Sequence, residues 1–299
     1  MRKKSIIIVL TIFLTFHLNM TCISPDEDKI EVLQSGNFKY ILTQPAEKYI
    51  MPGRLEEISG LDYLDGDIIL CIEDERGVLY FYNTQERKVT REIIFGKSGD
   101  YEGVAHTDNT AFVVKSNGKL YAFPINQDDE VDSNIMNTPF SKANDVEGLV
   151  AGHKKDELYI ACKGSPEVEG EDMEGRAVYT FNFKKSNLIS PPQIHLTSEE
   201  FLEQLEKNNM KPSKHMPFKP SGIAVHPVTR DIFLIGSVGK LLIVLNKSGQ
   251  IQGMAHLSRK IYKQPEGITF DQHGNLYIAN EGRGGDGYII RINQLDKNP

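Results

Sequence analysis

Residues 264–281 read QPEGITFDQHGNLYIANE. A Glu-Gly pair opens a short apolar run, DQHGN makes a polar turn, and a second apolar run ends on an acid. Short runs rich in Ile, Leu and Tyr, bounded by Gly, Asn and Asp, are the pattern of β-strands joined in a hairpin. The hairpin carries a carboxylate at each end, Glu266 and Glu281. The pattern occurs four more times, as ISGLDYLDGDIILCIEDERGVLYFY, YEGVAHTDNTAFVVKSNGKLYAF, VEGLVAGHKKDELYIACKG and PSGIAVHPVTRDIFLIGSVGKLLIVL. The shared glycines are Gly60, Gly103, Gly148, Gly222 and Gly267, at intervals of 43, 45, 74 and 45 residues. Self-similarity at about 40 to 50 residues with short strands marks propeller blades.

Each unit supplies strand A after its glycine, strand B after a polar turn, and in most units strand C after a second turn. Such a sheet is apolar on both faces and needs a neighbour on each side. The expected fold is an all-β, five-bladed β-propeller over residues 37–293. NFKYILTQ at 37–44 precedes the first unit and is expected to supply the outer strand of the last blade, so that the ring closes without an unpaired edge. The longest interval holds TSEEFLEQLEKNN, expected to be a short helix inserted between blades 3 and 4. Thr197 or Ser198 caps it, Glu199 and Glu200 favour its positive end, and Phe201, Leu202 and Leu205 line one face.

MRKKSIIIVLTIFLTFHLNMTC reads as an export signal over residues 1–22. Three basic residues precede an apolar core too short for a membrane span of roughly 20 residues. LNMT before Cys22 is lipobox-like, so Cys22 is the expected lipidation site. A polar tether at 23–36 follows, and 294–299 form a tail. The expected location is the bacterial cell envelope, at the outer membrane or cell surface, with membrane contact through a lipid anchor only. The chain has 41 acidic against 34 basic residues, and no basic cluster beyond the first four positions. That balance argues against a nucleic-acid partner. Cys71 and Cys162 sit in apolar runs of non-adjacent units and read as buried hydrophobes rather than a bridge. FGKSG at 95–99 lacks the leading Gly of a phosphate-cradling loop, with Arg91 in that place.

In a propeller, strand A lines the central channel and the end of antiparallel strand B emerges on the same face as the start of A. Two sets of residues therefore converge on one mouth. Before the glycines stand Ser59, Glu102, Glu147, Ser221 and Glu266; at the ends of the B strands stand Glu73, Lys115, Lys163, Ser237 and Glu281. Carboxylates crowded around a narrow channel raise one another's pKa unless a cation lies between them. A hard cation with oxygen ligands, calcium in an exported protein, is one solution. Salt bridges from Lys115 and Lys163 are the other, and the residues alone leave both open.

The order Ser-Gly, Glu-Gly, Glu-Gly, Ser-Gly, Glu-Gly, with YEGVA, DVEGLV, KPSGIAVHP and PEGITFDQHGNLYIANE, resembles the SdiA-regulated family of bacterial exported proteins, distantly similar to NHL-repeat propellers. The resemblance covers roughly residues 37–293. It implies a five-bladed propeller with a calcium ion at a shared site and no established enzymatic reaction. By position, Glu102, Glu147 and Glu266 match the family's Glu-Gly acids, and Glu281 matches its acid at the end of the last B strand. Glu73 ends the B strand of the first unit, with Glu75 close by. Where the family often has an acid in the second to fourth units, this chain has Lys115, Lys163 and Ser237. The expected function is a non-enzymatic, calcium-binding module for a protein, peptide or small envelope ligand. Two alternatives stand beside it: a calcium-dependent hydrolase of lactonase or phosphoesterase type at the channel mouth, and a structural propeller whose acids are salt-bridged without metal.

Overall fold

The structure, a computed structural model, describes residues 31–296 apart from 127–128, 169, 171, 209 and 211–217. The export segment and Cys22 lie outside the described residues. The chain starts with β1 (Val32–Ser35), β2 (Phe38–Ile41) and β3 (Glu47–Ile50), and a 3-10 turn at Gly53–Leu55 follows. The first complete sheet, from axis to rim, is β4 (Ile58–Asp65), β5 (Ile68–Glu73), β6 (Val78–Asn83) and β7 (Lys88–Ile94). The second is β8 (Tyr101–Thr107), β9 (Thr110–Lys115), β10 (Leu120–Pro124) and β11 (Asn134–Met136). The third is β12 (Val146–Ala151), β13 (Glu157–Cys162), β14 (Arg176–Asn182) and β15 (Asn187–Leu196), and α1 (Ser198–Lys207) follows it. The fourth is β16 (Gly222–Val225), β17 (Ile232–Gly236), β18 (Leu241–Leu245) and β19 (Ile251–His256). The fifth combines β20 (Pro265–Phe270), β21 (Leu276–Asn280) and β22 (Tyr288–Ile292) with β3, which pairs antiparallel to β22. A sixth sheet joins β1 and β2 to β23 (Leu295–Asp296).

Among the described residues the fold is therefore an all-β propeller of six blades with one short α-helix, and the expectation of five blades is overturned. The glycine motif marks only the sheets that send a strand to the axis, where β4, β8, β12, β16 and β20 adjoin one another in a closed cycle. The three-stranded sixth blade has no copy of the motif. It packs outside, with β1 against β19 and Leu33, Tyr40 and Leu42 in one core with Phe233 and Phe270. The strand that completes the fifth sheet is also corrected: it is Glu47–Ile50, whereas Phe38–Ile41 of the 37–44 segment pairs with β1 and β23.

The B strands show why the chain needs seams on both faces. Side chains alternate across a strand, and in β5 Ile69 and Cys71 enter the core shared with the fifth sheet while Leu70 and Ile72 enter the core shared with the second. Every residue of β13 is buried, as is every residue of β17 and β21. Cys71 and Cys162 are free thiols in different seams, each pushed up in pKa by burial.

α1 starts where its sequence signal lies. Thr197 Oγ1 accepts from Glu200 N at 3.2 Å while the Glu200 carboxylate reaches back to Thr197 N, a reciprocal capping box. Phe201 and Leu205 are buried in the seam between the third and fourth sheets, with Phe201 stacked on Phe218. Thr197→Ala removes the cap and should cost about 1 kcal/mol. In a chain of this size that is a melting-temperature loss of about 2–4 °C by circular dichroism; an unchanged transition would show that the helix contributes nothing to the global fold.

Candidate functional site

The axis is built by five repeated irregularities. Pairing along β4 skips from Ile58↔Glu73 to Gly60↔Ile72, along β8 from Tyr101↔Lys115 to Gly103↔Val114, and along β12 from Val146↔Cys162 to Gly148↔Ala161. β20 skips from Pro265↔Asn280 to Ile268↔Ile278. In the fourth sheet Ser221 N bonds Ile235 O while Gly222 is already paired with Ile235. Each skip is a β-bulge, which leaves one residue out of the ladder and re-aims its side chain. The skipped residues include Ser59, Glu102, Glu147 and Glu266. The glycine beside each lies against the next inner strand: a Cβ on Gly103 would stand 2.9 Å from Leu149 N, and one on Gly267 2.9 Å from Leu61 N. Glycine lets the inner strands approach at a distance no side chain permits.

The void on the axis, lined by Ser59, Glu102, Glu147 and Glu266, measures only about 10 Å³, which is room for roughly one water-sized species. The two serines tie the ring together: Ser59 Oγ donates to Tyr101 O at 2.7 Å and Ser221 Oγ to Pro265 O at 2.8 Å, each bonding the next inner strand. The three glutamates have no such backbone role. Glu147 is bonded by Lys163 Nζ. Glu266 is 5 % exposed and its Oε2 has no hydrogen-bond partner among the described residues. Ser221, Ser237 and Gln264 lie close enough to ease its charge, but Ser221 is committed to Pro265 and Gln264 Nε2 to Glu281. Asn280, fully buried at the end of β21, also has an unpartnered oxygen, Oδ1.

The electrostatics follow. Burial first, then Glu147 and Asp100, push the Glu102 carboxyl far above its usual range. Burial and the Glu266 charge push Glu147 the same way, against the pull of Lys163. Burial raises Glu266. Glu281 rises to about 7 through burial and the charges of Glu266, Asp74 and Glu57. Lys163 is held charged by Glu147 and Glu266 in spite of its own burial. Lys240, whose Nζ donates to Lys263 O, feels the charges of Glu266 and Glu281 but is lowered by its own burial.

Of the remaining sequence candidates, Glu73 and Lys115 are engaged elsewhere, while Ser237 lies beside Glu266. Glu73 is buried but engaged, with Oε1 accepting from Arg76 Nε at 2.9 Å and Oε2 from Glu75 N at 3.2 Å. Lys115 lies over the Tyr101 ring, 5.0 Å from its centroid. Ser237 N donates to Ser221 Oγ at 3.1 Å. Asp74 is the residue that sequence reasoning missed: Oδ1 is buried without a partner, and burial with Glu57, Glu73 and Glu75 lifts it to about 6. The run of acids in IEDER was its only signal. On the opposite mouth the histidines are structural. His106 Nδ1 lies 2.7 Å from Asp62 Oδ2 of the preceding inner strand, and His226 Nε2 lies 2.8 Å from Tyr40 Oη of the sixth blade. Among the described residues no three His, Cys, Asp or Glu side chains gather at metal-binding spacing, and no helix is long and apolar enough to cross a membrane.

Fold and axis together define a β-propeller with an acid-lined inner mouth. Residues 44–283 match the SdiA-regulated family, and the chain belongs to it. No curated protein matches the chain. Among solved structures, a glutaminyl cyclase from Myxococcus xanthus superposes with a TM-score of 0.56 at 11% identity, over 85% of this chain and 96% of that one. A luciferin-regenerating enzyme gives 0.51 at 9% identity, over 83% and 95%. A nidogen/laminin complex gives 0.51 at 15% identity, over 84% of each chain. At these identities the likeness concerns the fold alone.

Proposed function

We propose that this chain is a non-enzymatic binding propeller, anchored through Cys22 in the cell envelope, whose axial mouth takes up a single hard cation, calcium, as part of its recognition surface for a protein, peptide or small envelope ligand. The observation that carries the reading is the Glu266 carboxylate, buried with an oxygen that no described group satisfies. A buried charge left without a partner is costly, and a cation relieves it. Glu102, Glu147 and Glu266 line the axial void and offer only oxygen donors, the kind calcium takes; in this structure they stand short of metal-binding spacing and would draw together around the ion, with Glu281 and Asn280 at the end of the neighbouring strand. Calcium would add two positive charges to a mouth where Lys163 bonds Glu147 and Lys240 acts on Glu266 and Glu281 only through its charge, its Nζ being held by Lys263 O.

The proportions of the axis weigh against a hydrolase there. A void of about 10 Å³ admits an ion but no organic substrate among the inner strands, so a substrate would have to lie outside it at the open mouth. The fold neighbours include enzymes and a binding protein, so the fold favours neither. A second reading, acids neutralised by lysine alone, has the Lys163–Glu147 contact in its favour. Metal analysis and thermal melts of the purified chain, with calcium and after EDTA, separate the two. Binding at 100 times the dissociation constant raises stability by about 2.7 kcal/mol. A melt that is unmoved by calcium in a metal-free protein would leave the lysine reading standing.

A further inference from the structure

A second cavity lies off the axis, between the β13–β14 loop and the first turn of α1, with a volume of about 470 Å³. That size falls within the range of small-molecule sites. Its wall carries three cations, Lys163, Arg176 and Lys219, against one carboxylate, Glu174; the sequence of the same loop, SPEVEGEDMEG, holds four further acids, none of them among the described lining residues. Lys163 is committed to Glu147 on the axial side. The other two cations are not committed to acids. Arg176 Nε donates to Phe218 O at 3.0 Å and Nη1 to Gly175 O at 2.6 Å, which fixes the guanidinium in place. Its Nη2 has no partner among the described residues, and burial alone acts on its charge, with no carboxylate opposing it. Lys219 has no ion pair among the described residues. Ser198, the first residue of α1, also lines the wall. Thr197 Oγ1 takes the Glu200 N–H, and the N–H groups of the first helical turn add positive potential there. Glu200 itself faces a different hollow beside His195 and Gln204. Leu202 and Pro166 give the cavity an apolar side.

We propose that this cavity binds a small organic molecule bearing an oxyanion, a carboxylate or a phosphate, with the oxyanion met by Arg176 and Lys219 and the carbon skeleton by Leu202 and Pro166. A prefixed guanidinium loses little entropy on meeting an oxyanion, and charge-assisted hydrogen bonds are the stronger class. The site is offset from the axis but shares Lys163 with it, since that side chain lines the cavity and bonds Glu147, so Arg176 and Lys219 are the cations that belong to the cavity alone.

The test is calorimetric titration of the full chain, stripped of metal with EDTA and then dialysed free of it, in mild detergent at low salt, with inorganic phosphate, citrate and acetate as probes and glycerol as the uncharged control. The expected result is saturable one-to-one binding of phosphate or citrate, none of glycerol, and weakening as salt rises. Phosphate binding more tightly than the carboxylates assigns a phosphate ligand, and the reverse order a carboxylate. Arg176→Gln should weaken binding by about tenfold or more and Lys219→Gln by about threefold to tenfold. Arg176 also holds Phe218 and Gly175, so Lys219→Gln, whose side chain has no bond among the described residues, is the variant that keeps its melting temperature and reads the site alone. No saturable binding of any probe at 10 mM, or an unchanged dissociation constant in both variants, overturns the proposal.

Discussion

Gly222→Ala should destabilise this protein more than any other single-methyl change at the axis. A Cβ at position 222 would stand 2.2 Å from Glu266 O, 3.0 Å from Ile235 Cγ2 and 3.3 Å from Ile268 Cγ2. The first of these is backbone of the neighbouring inner strand, so no rotamer change relieves it. β16 and β20 must move apart, yet each is held at the axis by further neighbours, and Ser221 Oγ bonds Pro265 O across the same seam. Overpacking of a well-filled core costs about 1–3 kcal/mol and sometimes more, and backbone against backbone belongs at the upper end. A loss of about 3 kcal/mol corresponds to a fall of about 6–12 °C in melting temperature for a chain of this length. Gly53→Ala is the control, because nothing lies within 4 Å of a Cβ there, and it should stay within about 0.5 kcal/mol of wild type. Equal melting temperatures for the two variants would sink the account of the axis as a backbone contact.

Glu266→Gln should act in opposite directions on metal binding and on the metal-free fold. The amide keeps nearly the same shape and removes the charge. If calcium binds through this carboxylate, its affinity should fall on the order of tenfold to a hundredfold, since ligand charge is a main determinant of calcium affinity. Without metal, the variant should melt higher than wild type at pH 8. The sign comes from proton linkage: burial raises the folded-state pKa of Glu266 and takes Glu281 from 4.5 to about 7. Between the unfolded and folded values the native state binds more protons than the unfolded one, so stability falls as pH rises through that window. Metal-free wild type should thus lose stability from about pH 4.5 to 7 through Glu281, and the gap between variant and wild type should close towards the acid end. Melts in EDTA across that range check both statements. A variant less stable than wild type at pH 8 would mean that the Glu266 charge is already compensated in the metal-free fold.

Those two positions also show what could be read from residues alone. The glycines were legible because the close approach at the axis is demanded once in each of five sheets, and repetition lifts a signal that a single Glu-Gly could not carry. The sixth blade was not, because β23 is two residues long and the β1–β2 hairpin turns at Ser35–Gly36–Asn37 without the motif. The closing strand was misplaced for a related reason. Phe38–Ile41 is the more apolar segment, whereas Glu47–Ile50 buries only Tyr49, as an outer strand does. At the site, the acids beside the glycines could be found by their position, since a bulge turns the skipped residue toward the axis. What each acid meets was not legible. Arg76 binding Glu73, and Lys115 lying over Tyr101, depend on side-chain paths that spacing does not encode.

The placement of β3 and β23 has a consequence for how the molecule comes into being. The partner of β3 is β22, and β2 waits for β23, so two sheets are completed by strands from opposite ends of the chain. The inner strands β4 and β20 adjoin at the axis and can meet once β20 is made, but the fifth and sixth sheets stay unfinished until β22 and β23 have arrived. A chain made from its first residue onward therefore carries two half-built sheets, one at each side of the seam, until its final strands supply the missing edges.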